Sequence, residues 1–291
     1  MFLESVCYNT AMSVKVKAYA KINLTLFITG TEGGYHMLDS LVASVDLYDA
    51  ITLKKRKDRL VSVTMHGLGS ENIPAESNNA VKAAELFVEK FQTCGADITI
   101  YKNIAMGAGL GGSSADAAGV LNGLAQLYKI NDLAGLKLLA DMTGSDTRYM
   151  LNGGWARLFG RGDIVKAVDS KLKLHLLLLV PDEGVSSKQC YSAFDSIGKT
   201  GGNSDLAEKA AKENDLRELA GELSNSLTAP AASLSGKISD CIAELNEFAP
   251  LAVNMTGSGS GVYALFESKE MCAYAKSRYK GKAKTYILEV K

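Results

Sequence analysis

The chain has 291 residues, 47% of them hydrophobic, with 32 basic and 32 acidic side chains. That length supports two modest domains with buried cores, and the balanced charge excludes a bulk electrostatic pull toward nucleic acid or anionic membranes. The longest apolar candidate, residues 172–180, is too short to span a bilayer and suits a buried strand. The N-terminal segment has too little apolar character and no basic leader for a signal peptide. Its first dozen residues read as an extension ahead of the fold, with Met12 a candidate start.

Apolar–polar alternation predicts strands over 14–20 and 22–29, a turn at 31–34, an apolar-rich stretch over 38–48, and strands over 50–55 and 60–65. A loop over 67–77 leads to Asn78 and a helix reaching Phe91, with Ala80, Ala84, Phe87, Val88 and Phe91 on one face. A strand over 96–102 precedes a glycine-rich loop, GAGLGGSSADAA, that opens a helix ending near Tyr128. Another helix, over 133–143, runs into Gly144-Ser145-Asp146. Later come strands over 156–159 and 173–180, helices over 187–194, 206–223 and 238–248, and a strand–turn–strand–helix–strand close from 252 to 290. The loop over 199–204 reads as flexible, the charges from Glu208 to Glu222 as a solvated helix face, and Trp155 as a packing residue. Strands and helices mixed in both halves give an α+β chain of two domains, 1–157 and 158–291.

The five cysteines and three histidines are dispersed, with no C-x-x-C pair. This argues against a zinc site and a disulfide framework, and fits a reducing cytoplasm.

Strand, glycine loop and helix N-terminus together form a phosphate cradle. The glycines let backbone N–H groups turn toward an anion, and the helix dipole adds positive potential. Gly107, Ala108, Gly109, Leu110, Gly111, Gly112, Ser113 and Ser114 form it, with either serine able to cap the helix or offer a hydroxyl to a phosphate or its metal ion. Gly107, Gly109 and Gly112 also satisfy G-x-G-x-x-G, but no second strand ending in an acidic residue follows the helix, as a dinucleotide site requires. No Lys-Ser or Lys-Thr follows the glycines, so the loop is not a Walker A motif.

Four separated segments resemble the GHMP small-molecule kinases. They are Ala18-Tyr19-Ala20-Lys21-Ile22-Asn23-Leu24, Gly34-Tyr35-His36-Met37-Leu38-Asp39-Ser40, the glycine loop, and Met255-Thr256-Gly257-Ser258-Gly259. Asp46-Leu47-Tyr48-Asp49 and Gly144-Ser145-Asp146 resemble the family as well. The Gly-Tyr-His segment followed by Asp-Leu-Tyr-Asp narrows the likeness to the branch that phosphorylates the 2-hydroxyl of a cytidyl diphosphate-linked methylerythritol in the non-mevalonate isoprenoid pathway.

The resemblance implies a ribosomal protein S5 domain 2-like N-terminal domain, a ferredoxin-like C-terminal domain, and an active site in the cleft between them. It implies ATP and Mg²⁺ as cofactors, and a small-molecule partner for a monomer or homodimer. Asp146 becomes the catalytic base, where an ordinary helix-capping or turn aspartate is the competing use, and Lys21 its electrostatic partner. Asn78 and Lys102 become adenine contacts, and Ser114 the phosphate or Mg²⁺ contact. Asn23, Tyr35, His36, Gly257, Ser258 and Gly259 touch the substrate, the last three as a second glycine loop facing the first.

The chain departs from the family in having Thr147-Arg148-Tyr149 after Asp146, Ala105 before the loop, and Gly162-Asp163 after the domain junction. Another GHMP acceptor, or a nucleotide-binding member with weakened catalysis, stays open on these residues.

Overall fold

The computed structural model describes residues 13–70, 74 and 77–291. The N-terminal extension with Met12, and part of the 67–77 loop, lie outside them. From residue 13 the chain forms β1 (Ser13–Asn23), β2 (Thr25–Glu32), β3 (Tyr35–Lys55) and β4 (Ser62–Gly67). Next come α1 (Asn79–Phe91), β5 (Ala96–Lys102), α2 (Gly112–Tyr128), α3 (Leu133–Thr143) and the single turn α4 (Thr147–Met150). Strands β6 (Trp155–Gly160), β7 (Ile164–Ala167) and β8 (His175–Val180) precede helices α5 (Ser187–Ile197), α6 (Asp205–Glu213) and α7 (Leu216–Gly221). After β9 (Ser224–Asn225), α8 (Thr228–Leu234) and α9 (Gly236–Asn246), the chain closes with β10 (Ala252–Met255), β11 (Val262–Phe266), α10 (Lys269–Arg278) and β12 (Lys284–Glu289). No described helix is long and apolar enough to cross a membrane.

Two compact units share the chain and interleave in sequence. The first holds 13–20, 47–105 and 111–152; the second holds 21–46, 106–110 and 153–291.

In the first unit the C-terminal half of β3 pairs antiparallel with β5, placing Ala50 opposite Tyr101, and β4 pairs parallel with β5. Ala80, Ala84, Phe87 and Val88 are buried as the helical spacing predicts. Helix α2 lies close on the strands because its glycines permit it. A Cβ on Gly119 would come within 2.7 Å of Ile51 Cδ1 and 3.0 Å of Ala18 Cβ.

In the second unit the N-terminal half of β3 pairs with β2 and β6, with Phe27 opposite Asp39 and Ala43 opposite the buried Trp155. The apolar stretch 38–48 and the strand expected over 50–55 are therefore one 21-residue strand. Different neighbours along its two halves mask its continuity in the sequence.

A four-stranded antiparallel sheet in the order β10-β11-β8-β12 completes this unit. With α5–α9 between β8 and β10, and α10 between β11 and β12, that is the expected ferredoxin-like order. Leu177, Leu179, Phe194, Ile238, Val262 and Phe266 belong to its core.

Two expectations change. Glu208 is not part of a solvated face: it is buried and accepts from Arg157 (2.9 Å), Lys166 (3.1 Å) and Lys212 (2.6 Å). Burial alone would raise its pKa, but these three cations outweigh it and hold the carboxyl at about 2. Arg157 also grips Asp39 through two guanidinium nitrogens, at 2.7 and 2.5 Å. Cys190, Cys241 and Cys272 are free and buried. The loop over 199–204 is anchored at its end, where buried Ser204 shares a 2.7 Å hydrogen bond with Thr25.

Candidate active site

The expected phosphate cradle divides between the units, Gly107 to Leu110 in the second and Gly111 to Ser114 in the first. In the first unit, Gly111 is the N-cap of α2 at φ 71°, with no side-chain cap bond and no acidic residue in the first turn. Helices α1, α3, α7 and α10, by contrast, are capped by Asn78, Asp132, Asp215 and Ser268. The leading N–H groups of α2 thus receive no side-chain cap, as is also true of α4, α5, α6, α8 and α9, and with the positive dipole end they can take an anion. Ser113 and Ser114 sit inside the first turn, so neither caps the helix as the sequence suggested.

Gly144 faces Ser114 across a narrow gap. A Cβ on it would lie 3.3 Å from Ser114 Oγ, 3.3 Å from Asn79 Nδ2 and 3.1 Å from Thr147 Oγ1. The Thr147 hydroxyl is buried with no hydrogen-bond partner. Asp146 occupies the N-cap position of α4, yet its carboxylate makes no capping bond. Arg148 adds less positive charge beside Asp146 than its position suggests, because its guanidinium is paired with Asp141 at 2.7 and 2.6 Å.

Lys102 departs from expectation. Its side chain is 3% exposed and its ammonium is bonded to Asp49 and, at 2.5 Å, to Asp116. Burial opposes its charge, but the two carboxylates outweigh that and hold its pKa above the ordinary value. Asp49 also accepts from the backbone N–H of Asn103 (2.5 Å) and Ile104 (2.9 Å), pinning the exit of β5 toward the glycine loop. Asp116 is pushed up to about 7 by burial, with Lys102 pulling it down and Asp49 pushing it up. Its Oδ1 has no hydrogen-bond partner. The Lys102 ammonium is thus committed to these two carboxylates. Asn78 Oδ1 caps α1 through Ala80 N at 2.9 Å, while its Nδ2 reaches Met65 Sδ at 3.4 Å.

In the second unit, buried Lys21 donates from Nζ to Asn23 Oδ1 at 2.5 Å, and its backbone N–H donates to Leu110 O at 3.1 Å. Asn23 Nδ2 donates to Ser40 Oγ (2.8 Å), and the Asn23 backbone N–H to Thr256 Oγ1 (3.0 Å).

The two glycine segments touch directly. Ser260 N donates to Gly107 O (2.9 Å), Gly261 N to Ala108 O (3.3 Å) and Thr256 Oγ1 to Gly109 O (3.2 Å). Gly109 has φ +71°, and a Cβ there would collide with the carbonyl oxygen of Thr256; one on Gly257, at φ +58°, would lie 2.9 Å from Gly109 O. Only glycine fits such backbone-to-backbone contact. Ser258 Oγ shares a 2.8 Å hydrogen bond with Ser187, and Gly259 lies in the same turn.

Tyr35 is 58% exposed, with the Arg161 guanidinium 4.8 Å from its ring centroid. His36 Nε2 bonds Asp195 at 2.7 Å, and its ring lies 4.9 Å from that of Tyr191. Sequence reasoning gave no role to Ser40, Thr256, Asp49, Asp116, Tyr191 or Asp195. An acid inside the small-residue helix α2 was a signal for Asp116. Nothing local marked Tyr191 or Asp195.

Models of the GHMP kinases N terminal domain and the GHMP kinases C terminal domain match residues 78–154 and 207–279. The 4-diphosphocytidyl-2-C-methyl-D-erythritol kinase of Caldanaerobacter subterraneus subsp. tengcongensis is 35% identical over 275 residues, covering 93% of this chain and 94% of the relative. That of Caldicellulosiruptor saccharolyticus is 37% identical over 282 residues, covering 94% and 95%. A crystal structure of 4-(cytidine 5'-diphospho)-2C-methyl-D-erythritol kinase superimposes with a TM-score of 0.76 at 28% identity, covering 96% of this chain and all of the other. Matched in both of its domains and along nearly its whole length, the chain belongs to the GHMP kinase family.

Proposed function

We infer that the protein transfers the γ-phosphoryl group of ATP to the 2-hydroxyl of 4-diphosphocytidyl-2-C-methyl-D-erythritol, in the non-mevalonate route to isoprenoids. The observation that carries this reading is its 35–37% identity to kinases of that name over more than nine-tenths of both chains. A cytoplasmic setting, where ATP is supplied, goes with it.

In phosphoryl transfer there is little covalent chemistry for a protein to do, so its work is positioning and electrostatic stabilisation. The N–H groups from Gly107 to Ser114, with the uncapped end of α2, hold the phosphates. Asp146 accepts the proton of the acceptor hydroxyl as it attacks. The Lys21 ammonium stabilises charge on the transferring oxygens. The exposed ring of Tyr35 stacks on the cytosine, His36 hydrogen-bonds its edge, and Asn23 with the Gly257 to Gly259 turn borders the acceptor. Asn78 borders the adenine.

Among the described residues no group of three or more His, Cys, Asp or Glu side chains could hold a metal ion. Mg²⁺ would be carried on the nucleotide, and the Ser114 hydroxyl in the first turn of α2 would be its protein ligand. When bound, that ion neutralises charge on the phosphate oxygens.

The test offers purified protein ATP and Mg²⁺ with the cytidyl substrate, homoserine or mevalonate, and follows product mass. The reading requires phosphorylation of the cytidyl substrate with strong preference. Efficient turnover of another acceptor, or none of the three, would overturn it.

A further inference from the structure

We propose that Ser40 is a positioning residue that sets the direction of the Asn23 amide and, through it, the place of the Lys21 ammonium. The inference rests on the assignment of Lys21 to the reacting phosphoryl group. Ser40 is fully buried on β3, and its hydroxyl has one proton to give. That proton goes to Thr25 O, at 2.5 Å. The oxygen can then only accept from Asn23, so the Asn23 NH₂ must face Ser40, at 2.8 Å. The other end of the amide, Oδ1, is thereby turned to Lys21 Nζ at 2.5 Å. A flipped amide would set its NH₂ against the ammonium, donor against donor, and its oxygen against a hydroxyl with no proton left.

Two further contacts keep this array in place. Thr25 Oγ1 accepts from Leu41 N at 2.8 Å, fixing the residues on either side of the Ser40 bond. Thr256 Oγ1 accepts from Asn23 N at 3.0 Å, and its one proton faces two oxygens, Gly109 O at 3.2 Å and Asn23 Oδ1 at 3.4 Å. The amide oxygen thus faces the Lys21 ammonium, and among the described residues Ser40 is the hydroxyl of the array that faces the NH₂ end. Ser40 touches neither substrate on this reading; its effect passes through Asn23.

A double-mutant cycle tests it. Ser40→Ala should lower kcat about tenfold, the worth of one mispaired hydrogen bond, with both KM values within about twofold. In an Asn23→Asp background the same change should cost less than about twofold, because a carboxylate presents oxygen at both ends and has no direction to fix. Ser40→Thr, which keeps the hydroxyl, should restore kcat. An equal kcat loss in both backgrounds, or a drop in Tm with kcat unchanged, would overturn the proposal. If Ser40→Ala does not fold, Ser40→Cys reads the same cycle through a weak acceptor of similar size. Lys21→Met, measured alongside, separates the two assignments: wild-type turnover there removes the role of Lys21 itself, whereas a dead Lys21→Met beside a fully active Ser40→Ala removes only that of Ser40.

Discussion

Replacing Lys102 by methionine separates a lysine that holds the fold from one that holds the nucleotide. The substitution keeps the apolar stem and deletes the ammonium, leaving Asp49 and Asp116, 0% and 3% exposed, without their shared countercharge. Removing one partner of a buried ion pair costs about 3–5 kcal/mol. The cost depends on pH, and its sign follows from Asp116, whose pKa is already raised to about 7 in the folded protein. A carboxyl raised on folding favours the folded state most below its unfolded value of about 3.9, and that contribution fades as pH climbs through the folded value. Without Lys102, which pulls it down, Asp116 is pushed higher still, so the loss continues above pH 7 at about 1.4 kcal/mol per pH unit for one extra bound proton. Urea unfolding followed by circular dichroism should therefore show Lys102→Met much weaker at pH 8 than at pH 6. Adding Asp116→Asn should recover most of the loss, since Asp49 keeps its bonds to Asn103 and Ile104. Full stability of Lys102→Met at pH 8, with only a raised KM for ATP, would refute the triad and return Lys102 to the adenine.

Gly109→Ala should raise the KM for ATP at least about tenfold and destabilise the protein by about 1–3 kcal/mol, because the new Cβ meets Thr256 O and must hold positive φ. Steady-state kinetics and a melting curve check both; an unaffected enzyme would mean that the two glycine segments do not touch. Tyr35→Ala should raise the KM for the cytidyl substrate and leave Tm within a degree or two, since the ring is 58% exposed. A rise confined to the KM for ATP would put the cytosine elsewhere.

The β-strands and long helices were legible because burial imprints a period on them, as Ala80, Ala84, Phe87 and Val88 show on α1. Short elements carry no such period, and β7, β9 and α8 went unread. The run of β3 through both units was hidden because a strand that changes neighbours midway changes its pattern too. Residue chemistry at the site was legible as identity and illegible as pairing. Lys102 was found, but its partners lie 53 residues back and 14 ahead, and only the fold brings those carboxylates to it. Glu208 misled in part for the same reason: Lys212 is four residues on, but Arg157 is 51 residues away and Lys166 is 42. Ser40 stood inside a recognised segment and still gave no sign, because its role lies in where its one proton goes.

The central claim is that Asp146 is the base in phosphorylation of the cytidyl substrate. Its most direct test is turnover of Asp146→Ala with ATP, Mg²⁺ and 4-diphosphocytidyl-2-C-methyl-D-erythritol, measured beside the Kd for nucleotide. The account predicts a kcat lower by about 10²- to 10⁴-fold with nucleotide affinity within about twofold of wild type. Wild-type turnover by this variant would contradict it.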